Sequence, residues 1–299
     1  LDLLIRDYAE NYKPSSLKAS VLLKHLSNDA EEDKFIIQGI EQIVSNRDNK
    51  VAVLVRAGWQ GNSIAEMLDQ KGIQYFNALF RENDSEYLSF YNVALEEFHN
   101  ATSGKAVQRD LQRCLRAVEA RKGEIYQRDD KKYIFDSMYK LLEILFIESR
   151  KVDGTSKDKY EYIDFTLGNK GLKHMMEFID EQVVLTTIHA AKGLEWEYVI
   201  IPKLNGFAFP SSYMCNPCQD AGSCNRGLDY CEFTYAEEMK KAFKEEISIL
   251  YVAITRAKKD VFLTVNTGLN RWNHMKTTSC LLNLEGLALV DYEWKSIIK

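Results

Sequence analysis

The fold of this chain is decided by the segment Thr186-Thr187-Ile188-His189-Ala190-Ala191-Lys192-Gly193-Leu194-Glu195-Trp196. It opens at the end of an apolar run, residues 183–188, which predicts a buried strand of a parallel sheet. Three side chains with binding chemistry, His189, Lys192 and Glu195, then follow within one short turn. Because ligands bind at strand ends in an open α/β sheet, this turn predicts a binding site at such an edge.

A second segment has the same character and reads Glu245-Glu246-Ile247-Ser248-Ile249-Leu250-Tyr251-Val252-Ala253-Ile254-Thr255-Arg256-Ala257-Lys258. Residues 233–249 predict a helix, and residues 261–265 predict a strand. Arg256 stands between them, where a rigid scaffold can hold a guanidinium against a phosphate. We expect Glu245 and Glu246 to form a solvated helix face and Trp196 to pack in the core.

The N-terminal part of the chain predicts alternating helices and strands. Apolar residues at helical spacing mark residues 31–45 and 63–70, and Gly72 is placed to cap the second helix. Residues 51–55 and 73–76 predict strands. This order indicates a doubly wound α/β domain.

Residues 89–180 have a different pattern. Long helical patterns, such as residues 91–98 and 133–146, dominate this stretch, and residues 151–159 are predicted to form an exposed loop. We interpret residues 89–180 as a mostly helical insertion in the α/β domain.

The composition is that of a globular domain: 45% of the 299 residues are hydrophobic and 28% are charged. No apolar run is long enough to span a membrane, and the first residues do not resemble a secretory signal. The expected location is therefore the cytoplasm. A net charge of −5 argues against a uniformly basic nucleic-acid coat, although it leaves room for a local basic track.

Four of the six cysteines are clustered, with the spacing Cys-x2-Cys-x5-Cys-x6-Cys. Four thiolates at such spacing favour a structural zinc ion, and an iron–sulfur cluster is the second interpretation. The alternative is that the four cysteines are reduced and lie in an exposed loop. We assign residues 211–232 to this Cys-rich loop. The candidate metal ligands are Cys215, Cys218, Cys224 and Cys231.

The two decisive segments resemble motifs V and VI of superfamily-one DNA helicases of the UvrD/Rep/PcrA group. Residues 51–75 are similar to the start of the second RecA-like domain of that group. The resemblance implies a RecA-like (P-loop NTPase-like) parallel-sheet domain formed by residues 1–88 and 181–299. The helical subdomain, residues 89–180, would interrupt the RecA-like domain. The Cys-rich loop would lie within the RecA-like domain.

The resemblance also implies a role for each motif residue in binding ATP, which such enzymes use with Mg²⁺. Arg256 would be the arginine finger that reaches the γ-phosphate. Glu195 would hydrogen-bond the ribose, and Lys192 would lie at the cleft, near the phosphates or helping to link them to DNA.

For DNA, the resemblance implies that Thr187 and His189 face a single strand, through a phosphate and a base respectively. Arg56 and Gln60 are further candidates, at the DNA track or the domain interface.

The chain departs from the family pattern in one decisive respect: it contains no Gly-x-x-x-x-Gly-Lys-Ser/Thr phosphate-binding loop. We therefore interpret it as the C-terminal fragment of an ATP-dependent helicase, with 3′–5′ polarity as in the family. It would be inactive without a first RecA-like domain in cis. The alternative is a non-catalytic helicase-like module that binds DNA or protein.

Overall fold

A computed structural model describes residues 21–206, 208–210, 237–270, 272–283 and 289–294 of the chain. These residues form parallel strands interspersed with helices, which confirms the α/β class. The elements, in chain order, are β1 (Val21–Leu26), α1 (Asp29–Val44), β2 (Val51–Val55), α2 (Asn62–Lys71), β3 (Phe76–Ala78), α3 (Ser85–Ala101), α4 (Gln108–Ala120), α5 (Lys122–Ile125), α6 (Lys132–Glu148), α7 (Ser156–Gly168), β4 (Val183–Thr187), β5 (Trp196–Ile201), α8 (Glu237–Ile254), β6 (Ala257–Asn266) and β7 (Leu289–Asp291).

The chain divides into two compact units. Unit 1 consists of Leu1–Glu32 and Glu195–Lys299, and unit 2 consists of Asp33–Leu194. The predicted insertion, residues 89–180, lies within unit 2, and the domain boundaries drawn from the sequence stay a prediction. No helix in the described ranges has the length and apolar character that crossing a bilayer requires.

The strands of unit 1 are parallel: β6 pairs with β5 and β1, and β1 also pairs with β7. Aromatic rings cover the middle of β6, where the Phe262 ring centroid lies 4.4 Å from that of Trp294 and 5.3 Å from that of Tyr292. Trp294 and Trp196 are both buried, as expected for Trp196, whereas the indole of Trp272 is exposed.

In unit 2, β4 pairs in parallel with β2 and with β3. All five residues of β2 are buried, because both faces of this apolar strand are covered as the sequence predicts. Helix α2 ends at Gly72, which has a φ of 65° and donates its N–H to the carbonyls of Leu68 and Asp69. A side chain is disfavoured at this angle, so the predicted glycine cap is confirmed.

The segment between Ala78 and Val183 is described throughout, and all its regular elements are helical. The predicted helices correspond to α3 and α6, which are longer at both ends than the predicted ranges. Their buried faces meet through aromatic side chains, including an edge-on contact between Phe90 and Phe135 with ring centroids 5.9 Å apart.

The structure corrects two predictions from the sequence and adds two strands. The predicted loop at 151–159 is wrong in its second half, because Thr155 caps α7 by accepting N–H groups from Lys157 and Asp158. The strand predicted at 73–76 is instead Phe76–Ala78. Strands β1 and β7 were not predicted; β1 includes the polar pair Lys24-His25, and β7 has three residues.

Candidate functional site

In unit 2, the last residue of β4 and the residues that follow it, residues 187–194, form a turn that we call the motif-V turn. Hydrogen bonds of its backbone hold it in place. The Ile188 N–H donates to the Val55 carbonyl at 3.0 Å, which ties the end of β4 to the end of β2. The Ala191 N–H donates to the Thr187 carbonyl at 3.1 Å, and the Thr187 hydroxyl accepts the Ala190 N–H at 3.3 Å. The turn is therefore compact, and it leaves the side chains of His189 and Lys192 exposed.

This turn forms one wall of an open groove with a volume of about 600 Å³, which lies entirely within unit 2. The opposite wall of the groove comes from the two ends of the helical segment between β3 and β4. One end is formed by the residues after β3, and the other by the residues after α7, which continue into the 3-10 turn Gly171–Phe178. The groove thus brings together predicted site residues and side chains that the sequence did not single out. Its polar lining includes Thr187, His189, Lys192, Arg81, Lys170 and His174.

The groove has an excess of positive charge, although the whole chain is acidic. Lys173 forms an ion pair with Glu82 at 3.1 Å, and Glu177 also lies in the lining. Three cations of the lining have no carboxylate partner among the residues that the structure describes: Arg81, Lys170 and Lys192. A groove of this kind suits a polyanion.

The wall opposite the motif-V turn is fixed by buried aromatic groups. The Lys173 ammonium lies 5.6 Å from the ring centroid of Phe80 and 5.5 Å from that of Tyr87. The Tyr91 hydroxyl accepts the Leu172 N–H at 2.9 Å. Burial raises the pKa of Tyr91 far above the ordinary value of a tyrosine, so its hydroxyl stays neutral in this hydrogen bond.

In unit 1, the motif-VI arginine lies beside the start of β5. The Trp196 N–H donates to the Arg256 carbonyl at 2.9 Å, so exposed Glu195 and half-buried Arg256 are brought together. The Arg256 side chain is oriented by the end of the preceding helix α8 and by Thr255, because its Nε donates to the Val252 carbonyl at 3.0 Å and its Nη2 to the Thr255 hydroxyl at 3.1 Å.

Comparison with known proteins supports the interpretation of these two motifs. The family model of the UvrD-like helicase C-terminal domain matches residues 85–268, more than half of the chain. The chain belongs to this family.

Individual proteins that are similar to this UvrD-like helicase domain also carry helicase names. A Rickettsia conorii protein named "Probable DNA helicase II homolog" is 24% identical over 79% of this chain and 44% of its own length. DNA helicase II of Rickettsia typhi is 39% identical over 27% of this chain and 9% of its own length. A Mycoplasma pneumoniae protein named "Probable DNA helicase" is 31% identical over 49% of this chain and 21% of its own length. The chain spans less than half the length of these relatives.

Burial bears on two sequence-based assignments in this UvrD-like domain and corrects one of them. Gln60 is 1% exposed, and its amide oxygen accepts the Ala57 N–H at 2.8 Å, so it supports the turn after β2; its assignment to the DNA track or the domain interface stays a prediction. Glu246 is 3% exposed and does not belong to a solvated face, whereas Glu245 is exposed as predicted. Arg56, directly after β2, is half-buried.

The four clustered cysteines, Cys215, Cys218, Cys224 and Cys231, lie outside the described residues. The zinc and iron–sulfur interpretations therefore stay predictions. Within the described ranges, no group of three or more His, Cys, Asp or Glu side chains is arranged to hold a metal ion.

A buried polar cluster in unit 1 was missed by the sequence reasoning. Glu32, in the first turns of α1, is 0% exposed and accepts the Lys203 N–H at 2.8 Å and the Thr264 hydroxyl at 2.6 Å, as well as the Asn266 amide. Burial raises the pKa of Glu32, and these donors oppose that shift. The cluster ties the first turn of α1 to β6 and to Lys203, two residues after β5.

Proposed function

We propose that this chain supplies the arginine finger and part of the single-stranded DNA track of an ATP-dependent DNA helicase with 3′–5′ polarity. The observation that carries the proposal is that Thr187, His189 and Lys192 of motif V line one groove with excess positive charge. The family match and the names of the relatives support the assignment to helicases.

On the DNA side, the groove offers cations and a hydroxyl to a phosphodiester backbone. The Thr187 hydroxyl and the Lys192 ammonium suit phosphate oxygens, and the imidazole of His189 suits stacking on a base. Phosphate contacts of this kind bind a strand with little regard to its sequence.

On the nucleotide side, Arg256 would neutralise charge that develops on the γ-phosphate. Its guanidinium is held by the Val252 carbonyl and the Thr255 hydroxyl, so it is pre-positioned for that task. Glu195, brought beside it by the Trp196 backbone, would accept a hydrogen bond from the ribose. The phosphate-binding loop is absent from this sequence and would come from a first RecA-like domain. No described residue is assigned to Mg²⁺.

The test uses the complete gene product with oligo-dT and ATP. Substitution of Arg256 by alanine should lower the turnover of ATP by about a thousandfold or more, while single-stranded DNA binding is retained. Arg150→Ala, which removes an exposed arginine two residues after α6, is the control and should leave turnover unchanged.

Two results would contradict the proposal. Retained turnover in the Arg256→Ala variant would remove the arginine-finger role. A complete gene product that binds single-stranded DNA without hydrolysing ATP would instead be a non-catalytic module. For the present chain alone we expect no ATP turnover.

A further inference from the structure

We propose that Arg81 and Lys170 are phosphate-binding residues on a second wall of the groove, opposite the motif-V turn. The inference rests on the proposed function, namely that the groove holds single-stranded DNA. It adds that the two ends of the helical segment take part directly in holding the strand.

Arg81 lies in the connection between β3 and α3, and its backbone is fixed there. Its N–H donates to the carboxylate of Asp84 at 2.7 Å, which closes the turn that precedes α3. The side chain is exposed and lines the groove. The guanidinium, with several N–H donors in one plane, suits phosphate oxygens.

Lys170 lies shortly after α7, at the start of the 3-10 turn, and its backbone is unusual. Its φ is 55°, in the left-handed region that a residue with a side chain enters only at an energetic cost. A glycine would avoid this cost. The carbonyl of Lys170 accepts the Tyr87 hydroxyl at 3.4 Å, and its side chain is exposed in the groove. A lysine at this position is therefore better explained by its charge than by the turn.

Lys173 has a different role from these two residues. Its ammonium is already shared between Glu82 and the rings of Phe80 and Tyr87. Because Phe80 precedes Arg81 directly, this contact joins the two ends of the helical segment and sets Arg81 and Lys170 on the same wall. Lys173 is thus a positioning residue, and the cations left for phosphate are Arg81 and Lys170, with Lys192 on the opposite wall.

The size of the effect follows from counterion release. Each phosphate neutralised on a single strand contributes about 0.7 to the slope of log affinity against log salt, which amounts to about fivefold in affinity at about 0.1 M salt. Loss of both cations should therefore weaken binding by about 25-fold and lower the slope by about 1.4.

The experiment measures fluorescence anisotropy of a labelled oligo-dT with the whole chain over a range of salt concentrations. The variants are Arg81→Gln, Lys170→Gly and the double variant. Lys157→Gln, on α7 and outside the groove lining, is the matched control and should bind as the unmodified chain does. Lys170→Gly adds a further readout: it should raise the melting temperature, because the left-handed strain is relieved, while it weakens DNA binding.

The outcomes separate this inference from the proposed function on which it rests. A double variant with unchanged affinity and slope, beside a Thr187→Ala/His189→Ala variant that loses binding, would overturn the second wall and leave the DNA track in place. Unchanged binding in both variants, or no binding by the unmodified chain, would overturn both. Arg81→Lys, which retains the charge, should keep the salt slope even if its fold stability changes.

Discussion

The backbone N–H of Trp196 donates to the carbonyl oxygen of Arg256 at 2.9 Å, so the end of motif V and the end of motif VI are joined directly. Within unit 1 this bond fixes the connection between α8 and β6 against the first residue of β5. The position of the Arg256 guanidinium is therefore set by main-chain atoms as well as by its side-chain hydrogen bonds.

This geometry predicts that lysine cannot replace Arg256. A lysine keeps the charge but cannot donate simultaneously to the Val252 carbonyl and the Thr255 hydroxyl as the guanidinium does. In the complete gene product, Arg256→Lys should reduce the turnover of ATP nearly as much as Arg256→Ala. Steady-state ATPase assays with saturating oligo-dT measure this, and near-normal turnover in the lysine variant would show that charge alone is sufficient.

Thr264→Val should destabilise unit 1 in a pH-dependent way. The variant removes the hydroxyl that donates to buried Glu32. The free energy of unfolding should fall by about 1–3 kcal/mol near neutral pH. Because burial raises the pKa of Glu32, the folded protein favours the protonated form, and the stability from that proton declines as pH rises through the folded-state pKa. The deficit of the variant should therefore shrink at acidic pH, where the carboxyl is neutral.

Urea unfolding of the Thr264→Val variant between acidic and neutral pH checks this expectation. Thr264→Ser keeps the donor and is the matched control. A deficit that is the same at every pH would mean that Thr264 contributes packing and not a hydrogen bond to the carboxylate.

Thr155→Ala should destabilise the start of α7 by about 0.5–2 kcal/mol, the usual cost of losing an N-cap side chain. The Thr155 hydroxyl accepts the N–H groups of Lys157 and Asp158, and the Asp158 carboxylate accepts the Thr155 N–H at 2.6 Å. Thermal unfolding followed by circular dichroism measures the loss. Thr155→Ser should retain most of the stability, and equal melting temperatures for the alanine variant and the unmodified chain would contradict the cap.

Tyr91→Phe should cost about 1–3 kcal/mol, because it leaves the N–H of Leu172 buried without an acceptor. Tyr160→Phe is the control: its ring stacks on Phe98, and that contact is retained without the hydroxyl. Hydrogen exchange at Leu172 provides a local measurement. Fast exchange in the Tyr91→Phe variant but not in the Tyr160→Phe variant is the expected pattern, and slow exchange in both would refute it.

Much of the fold could be predicted where the signal is local. The fully apolar β2 and the glycine after α2 each specify their own conformation within a few residues. Glu246 could also have been found, because it shares a helix face with buried Phe243 and Leu250 at spacings of three and four. The burial of Gln60 could not be predicted in this way, since the side chains beside the adjacent Gly61, Leu79 and Leu185, come from distant parts of the chain.

The residues of the candidate site also differ in whether they could be predicted from the sequence. The motif-V turn is continuous in the sequence, so its residues could be assigned together. Arg81 and Lys170 are separated by the whole helical segment, and the contact of Lys173 with Phe80 that brings their regions together is non-local. In the sequence alone, each of them has the appearance of an ordinary surface cation.

The different burial of the four indoles gives the molecule a built-in optical probe. Trp196 and Trp294 are enclosed in unit 1, whereas Trp59 of unit 2 and Trp272 are already in contact with solvent. Unfolding of unit 1 should shift the tryptophan emission to longer wavelengths, because two buried indoles become exposed. Unfolding of unit 2 should leave the emission maximum nearly constant, because its indole is exposed already. Tryptophan emission compared with far-ultraviolet ellipticity would therefore reveal whether the two units melt together or in sequence.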